Sequence, residues 1–274
     1  MYDTFFLDVG LYPDNQPYIN WPVGANRPGV SEAILTVIPT TPTQFHAAMM
    51  FAETYKEVTG NEVTLVIPNF PGARQDRRNF DGDVLFSAKY YAKIVNSVGF
   101  KAVHVLDPHS DVVPALVDRC VVHNVGMILQ YAGLYGNSGF FGDYAAVVAP
   151  DAGAAKRAGI MAKQLGVPLV QAWKKRDTAT GKLTGFGMEH KAVEWNSKVL
   201  VVDDMCDGGG TFLGLADVLD FYGLDADLYV THGLFTQGTE KLRERYDNII
   251  TTNSTTSEKL GCEVIDILDW RLYA

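Results

Sequence analysis

The chain reads as an α/β protein of two domains, each a mainly parallel sheet flanked by helices, and three observations lead there. Short apolar runs rich in β-branched residues alternate with segments of helical periodicity, the pattern that a parallel sheet with crossover helices requires. A length of 274 residues allows one or two domains that each bury a core. A glycine-rich, aromatic stretch, Tyr131 to Tyr144, interrupts the alternation and sets the expected domains at residues 1–138 and 139–274.

In chain order, Gln44 to Val58 carries helical spacing, Val63 to Ile67 is the first strand, Val84 to Val98 a second helix, and Ala102 to Leu106 and Val121 to Val125 are further strands. Then come strand Ala145 to Ala149, helix Ala154 to Leu165, strands Leu169 to Trp173 and Val199 to Val202, helix Thr211 to Phe221 and strand Leu228 to Thr231. The polar run Lys174 to Gly187 and the Ser/Thr run Thr251 to Ser257 read as mobile loops. In a parallel sheet ligands bind beyond the carboxyl ends of the strands.

Composition narrows the function. With 23 basic against 32 acidic residues the formal net charge is −9, which disfavours a nucleic-acid or anionic-membrane surface. Phosphates must therefore meet local cations. Three cysteines, Cys120, Cys206 and Cys262, show no metal-site spacing, and an odd count builds no disulfide framework, so a reduced, cytoplasmic protein is expected. MYDTFFLDVG has no basic leader region, and no apolar run reaches the ~20 residues of a membrane span.

The most informative stretch is Lys198 to Thr211, KVLVVDDMCDGGGT. An apolar strand delivers Asp203 and Asp204 to its carboxyl end; Asp207 and the glycines Gly208, Gly209 and Gly210 follow, and Thr211 opens a helix. Glycines let the backbone turn several N–H groups toward one point, and such a nest at a helix N-terminus suits a phosphate. Carboxylates beside a phosphate would repel it unless they bind something else, such as sugar hydroxyls or a metal. A phosphorylated ribose meets both demands. A P-loop is excluded because Phe212 follows Thr211, and the dinucleotide fingerprint is misspaced. A plain Asp-Gly turn would not call for the Asp203–Asp204 pair.

Four other segments sit at strand ends. PNFPGARQDRR gathers Arg74, Arg77 and Arg78 around Gln75 and Asp76; it reads as a polyphosphate clamp, since planar guanidinium forks bind phosphate oxygens in pairs, or as a solvated basic loop. Asp107-Pro108-His109-Ser110 follows another strand, where a histidine is either structural or a ligand. APDAGAAKR sets Asp151, Gly153 and Ala154 before a helix bearing Lys156 and Arg157, an approach for a pyrophosphate. Lys174, Lys175 and Arg176 close a strand, and as mutually repelling cations they are expected to splay in the apo protein. His46, His104, His123, His190 and His232 have no evident partner and read as core or surface residues.

The run ending in Thr211 resembles the ribose 5-phosphate loop of the type I phosphoribosyltransferase fold. Together with ARQDR, DPH and APD it resembles the ribose-phosphate pyrophosphokinases, the PRPP synthetases, over Val63 to Leu219. The resemblance implies two phosphoribosyltransferase-like domains, ATP on the N-terminal side and ribose phosphate on the C-terminal side, assembled as a homo-oligomer, dimer or hexamer. It implies nucleotide contacts from Arg74, Gln75, Asp76, Arg77 and His109, Mg²⁺ held by His109 and Asp151, and catalytic cations Lys174 and Arg176 on a flexible flap. Asp203 and Asp204 would take the ribose hydroxyls, and Asp207 to Thr211 the 5-phosphate. The implied reaction moves the β,γ-diphosphoryl group of ATP to the 1-hydroxyl of ribose 5-phosphate, giving PRPP and AMP.

Two departures matter. Where the family has Phe-x-x-Gly-Glu beside adenine, this chain has Trp21-Pro22-Val23-Gly24-Ala25; Trp21 offers stacking, but Ala25 offers no side-chain acceptor. The family's Ser or Thr is replaced by Gly208, which leaves room for a larger acceptor such as ADP-ribose. A type I phosphoribosyltransferase, which would leave ARQDR and DPH idle, and a non-catalytic regulatory homologue, which would lack Lys174 and Arg176, stand as rivals. AMP release from ATP separates them.

Overall fold

The computed structural model describes residues 2–6, 9–19, 29–38, 41–78, 85–131, 143–176, 183–188, 193–194, 196–255 and 261–267. The chain forms two compact units, one built on Met1–His123 and the other on Asn124–Ile267. The expected boundary at 138/139 lies outside the described residues.

The first unit runs β1 (Tyr2–Phe6), β2 (Val9–Leu11), β3 (Pro17–Ile19), β4 (Glu32–Thr36), α1 (Pro42–Thr59), β5 (Glu62–Val66), α2 (Ser87–Val98), β6 (Val103–Leu106), α3 (Val112–Leu116) and β7 (Cys120–His123). Its sheet has the order β1-β4-β5-β6-β7, every pair parallel. β2 and β3 form a separate antiparallel pair. Because helices cover the sheet, strands read as continuous apolar runs: Val63, Leu65, Val66 and Ile67 are all buried, as are Ala33, Ile34 and Leu35 on β4. Helix α1 starts at a capping box, with Gln44 N–H donating to Thr41 Oγ1 and Thr41 N–H to Gln44 Oε1, both at 3.2 Å. It stops at Gly60, whose φ of 70° favours glycine. Its Phe51 and Tyr55 pack edge-on against Phe5 of β1 at 5.3 and 5.5 Å.

The second unit runs α4 (Val125–Tyr131), β8 (Ala146–Ala149), α5 (Ala155–Leu165), β9 (Leu169–Arg176), β10 (Leu183–Met188), β11 (Lys198–Cys206), α6 (Gly210–Phe221), β12 (Asp225–Gly233), α7 (Glu240–Arg243), β13 (Ile249–Thr252) and β14 (Glu263–Ile265). The sheet order is β10-β9-β8-β11-β12-β13-β14, parallel except for the β9–β10 hairpin. Val199, Leu200, Val201 and Val202 of β11 are fully buried at its centre, between α5 and α6.

Several expectations are corrected. Lys174 to Gly187 is not loop throughout: β9 continues to Arg176 and pairs with β10, Lys174 opposite Phe186 and Arg176 opposite Leu183. Backbone pairing outweighs a repulsion among cations that water and salt screen. Thr251 and Thr252 belong to buried β13, where the Thr252 hydroxyl donates to Thr231 O at 2.6 Å; β-branched residues suit a strand once the hydroxyl is satisfied. Val125 does not end a strand. It opens α4, because Asn124 Oδ1 accepts from Met127 N–H at 3.1 Å and so caps the helix. His104 and His123 are partners: their rings stack, and Nδ1 of one lies 2.8 Å from Nε2 of the other. Burial holds His123 down to about 4. His232 Nδ1 lies 2.7 Å from Ser254 Oγ, and His46 Nδ1 2.8 Å from Pro42 O. Among the described residues no helix is long and apolar enough to cross a membrane.

At the amino-terminal edge of the second sheet, buried Asp227 ties four groups together. It accepts from Tyr144 Oη at 2.5 Å, from Asn248 N and Nδ2 at 3.1 and 3.0 Å, and from Lys198 Nζ at 2.9 Å. Removing the acceptor takes a partner from the buried Tyr144 hydroxyl and from two donors of half-buried Asn248, while Lys198 still reaches Asp247 at 3.2 Å. We therefore expect Asp227→Ala to destabilise the second unit by about 2–3 kcal/mol, read as a lowered urea midpoint; a loss below about 1 kcal/mol contradicts this.

Candidate functional site

In the first unit two loops leave neighbouring strands. β5 and β6 are parallel and adjacent, so the segments after their carboxyl ends, Pro68 to Arg78 and Asp107 to Asp111, emerge side by side. Buried Phe70 and Ala73 anchor the first loop. Gly72 has φ 73°, and a Cβ there would lie 2.9 Å from Ser87 Cβ, so this turn requires glycine.

Gln75 and Asp76 brace the loop. Gln75 Oε1 accepts from the Ser87 hydroxyl, and its carbonyl accepts from Ala88 N–H. Asp76 Oδ2 accepts from Ser110 Oγ at 2.7 Å, which joins the ARQDR loop to the DPH segment, and its Oδ1 lies 3.7 Å from Arg77 Nε. Arg74, Arg77, Arg78 and His109 are exposed around this frame. The second loop begins with Asp107, buried at φ 33°, whose N–H donates to His123 O at 2.8 Å. Guanidinium groups outside and braced polar groups within give this surface the chemistry that suits an anion. Trp21, the expected stacking residue, lies outside the described residues.

In the second unit β9, β8 and β11 are consecutive neighbours, all parallel, so three expected segments share one sheet edge. After β8, Asp151 Oδ1 accepts from the N–H groups of Gly153 and Ala154 at 2.9 and 3.2 Å. That bond shapes the turn leading into α5. β9 pairs with β8 up to Ala149 opposite Gln171 and continues to Arg176, which carries the backbone of Lys174 and Arg176 beyond this edge.

β11 ends in the acidic pair. Asp204 is buried and Asp203 half-buried, and Asp204 N–H donates to Asp203 Oδ1 at 2.8 Å. Arg157, on the buried face of α5, places Nη1 3.3 Å from Asp204 Oδ1 and 3.9 Å from Asp203 Oδ1. Burial, followed by repulsion from Asp204, pushes Asp203 up to about 8, with Arg157 pulling the other way.

The glycine turn is held from behind. Cys206 O accepts from Leu234 and Phe235 N–H, Asp207 O accepts from Thr236 N–H, and Asp207 Oδ1 accepts from Thr236 Oγ1 at 2.7 Å. Gly209 adopts φ 79° against the Leu242 side chain. Gly208 and Gly210 are exposed, Thr211 is half-buried, and the buried Tyr246 hydroxyl donates to Phe212 O at 2.8 Å. The turn thus presents the amino end of the 12-residue α6, where backbone N–H groups lack intrahelical acceptors.

Sequence reading missed four supporting side chains. Arg157 was counted only as a helix cation, although its place among buried Ala158, Met161 and Ala162 is the signal that a cation on an apolar helix face has an acidic partner. Ser87, Ser110 and Thr236 carry no such signal. Among the described residues no group of three or more His, Cys, Asp or Glu side chains is placed to hold a metal ion.

Asp203 carries a stability consequence. Its folded pKa is raised, so between its ordinary value of 3.8 and about 8 the folded state binds the extra proton and stability falls as pH rises through that window. Asp203→Asn is expected to raise the melting temperature relative to the parent at pH 8, with the gap closing toward pH 4. A gap of opposite sign, read by calorimetry, contradicts it.

The phosphoribosyl transferase domain family matches residues 132–260. The ribose-phosphate pyrophosphokinase of Marinomonas sp. (strain MWYL1) is 30% identical over 225 residues, covering 79% of this chain and 69% of that one. Ribose-phosphate pyrophosphokinase 4 of Saccharomyces cerevisiae is 31% identical over 221 residues, covering 78% of this chain but 64% of the relative, so the match spans less than two thirds of that protein. The solved structure of phosphoribosylpyrophosphate synthetase from Mycobacterium smegmatis shares the fold, with a TM-score of 0.79 at 21% identity over 98% of this chain and 88% of that one. With its paired carboxylates, glycine turn and two parallel α/β units, the chain belongs to the ribose-phosphate pyrophosphokinase family.

Proposed function

We propose that the chain is an ATP-dependent diphosphotransferase that converts ribose 5-phosphate to PRPP, releasing AMP. The observation that carries this reading is the juxtaposition, on adjacent strands β8 and β11, of the Asp151 turn and the Asp203–Asp204 pair with its glycine turn. Carboxylates accept from the ribose 2- and 3-hydroxyls, the amino end of α6 takes the 5-phosphate, and the Asp151 turn faces the group being transferred. The first unit supplies the nucleotide side, through Arg74 and Arg77 on a loop braced by Gln75 and Asp76, together with His109.

The 1-hydroxyl oxygen attacks the β-phosphorus, the bond from that phosphorus to the α,β-bridging oxygen breaks, AMP leaves, and the hydroxyl proton is lost. Lys174 and Arg176 neutralise the charge that develops on bridging and equatorial oxygens. Asp151 in the second unit would hold Mg²⁺ and His109 in the first would stand on its nucleotide side; the ion would supply neutralisation of the phosphate oxygens. The Asp151 carboxylate fits that role, since Mg²⁺ commonly takes one or two carboxylates and leaves its other positions to water and phosphate.

A homo-oligomer, dimer or hexamer, and a cytoplasmic location complete the proposal. Light scattering reads the first. Free cysteines support the second, with Cys120 and Cys206 pushed up to about 11 and 12 by burial and so kept as thiols.

One observation favours a second acceptor. A Cβ at Gly208 would meet only Gln237 Cγ, at 3.5 Å, and one at Gly210 nothing within 4 Å, so a phosphate bearing a further substituent, as in ADP-ribose, has space at this turn.

Incubation with ATP, Mg²⁺ and each acceptor, resolved by mass, is expected to give AMP and the 1-diphosphate product in equal amounts. Release of ADP, or consumption of PRPP with a free base instead, overturns the reading. Lys174→Ala should lower turnover by about 10³-fold or more, and near-normal turnover would remove its catalytic role. Gly208→Ser should spare ribose 5-phosphate while weakening ADP-ribose; equal effects on both would end the larger-acceptor reading.

A further inference from the structure

Arg157 has a position that packing alone does not call for. It lies on the apolar face of α5, its side chain 9% exposed, and reaches across to β11. An apolar residue there would join α5 to the sheet without desolvating a guanidinium. Arg157 instead stands 3.3 Å from one carboxylate and 3.9 Å from the next. Both distances are measured from Nη1, so one corner of the guanidinium lies between two neighbouring carboxylates.

Two carboxylates adjacent in sequence and withdrawn from water resist joint ionisation, yet a sugar diol that donates two O–H bonds needs both as acceptors. We propose that Arg157 is the positioning residue of the acidic pair: from α5 it favours the charged form of Asp203 and Asp204 and keeps them aimed at the sugar hydroxyls. This rests on the proposed role of the pair in binding a ribose phosphate. It also makes α5, which begins at the Asp151 turn, the mechanical link between the acceptor's hydroxyls and the turn facing the transferred group. The groups acting on Asp203 are Asp204 and the Cys206 thiol from its own strand and Arg157 from α5.

The test is a set of variants read in two ways. Steady-state kinetics of Arg157→Gln with ATP and ribose 5-phosphate should show the sugar-phosphate KM raised about tenfold to a hundredfold, with the ATP KM and kcat changed by less than about threefold. That defect should shrink between pH 7 and 9.5 as the acids ionise. Arg157→Lys should recover part of it. Carboxyl ¹³C NMR of aspartate-labelled protein should show the pair titrating at higher pH in both variants.

Equal rises in both KM values, a loss confined to kcat, a pH-independent defect, or an unmoved titration would overturn the proposal. If Arg157→Gln does not fold, Arg157→Lys decides by the same readings. If the parent protein forms no PRPP, the function falls, and the carboxyl titration still decides whether Arg157 governs the pair.

Discussion

Two carboxylates side by side at the end of a buried strand cannot both hold charge unless something opposes it, and the second unit is organised around that constraint. β11 is central and apolar up to Val202 and then delivers Asp203 and Asp204 into a site where burial drives Asp203 up to about 8. Arg157 answers from the neighbouring helix. Thr236 and Tyr246 fix the turn that follows through bonds to Asp207 and Phe212. The acids are costly to the folded protein in neutral solution. A ligand offering hydroxyl donors to the carboxylates and a phosphate to the amino end of α6 turns that cost into affinity.

Parallel strands explain why the chemistry collects where it does. Every parallel neighbour ends on the same edge, so loops distant in sequence become adjacent: after β5 and β6 in the first unit, after β8, β9 and β11 in the second. The two units differ in the charge they gather at these ends. The first exposes guanidinium groups around a braced polar frame, suited to a polyphosphate, and the second buries acids beside a backbone nest, suited to a phosphorylated polyol. Such local arrangement sets cations and backbone N–H groups at particular strand ends of a chain whose formal charge is −9.

Strands and helices with strong periodicity were legible in sequence, and so were the segments at their ends, because each chemistry-bearing motif follows directly on an apolar run. The first forty residues were not. β1 and β4, YDTFF and EAILT, are no shorter than β5 but set polar or charged residues among the apolar ones, and they become strands through pairing, β4 with β5 and β1 with β4. Thr251 and Thr252 read as loop because their hydroxyl partners, such as Thr231 O, are far away in sequence. The cationic end of β9 read as unpaired because its partner β10 is glycine-rich. In the site, the acids and glycines were visible as residue types, whereas the braces were not: Ser87, Ser110 and Thr236 are ordinary surface residues until the fold brings them to Gln75, Asp76 and Asp207.

A crystal structure of the protein with ribose 5-phosphate tests the central claim most directly. The phosphorus is expected at the amino end of α6, beside Gly208 to Thr211, with the 2- and 3-hydroxyls on Asp203 and Asp204. A sugar phosphate bound elsewhere, with that turn and its acids untouched at saturating ligand, would contradict it.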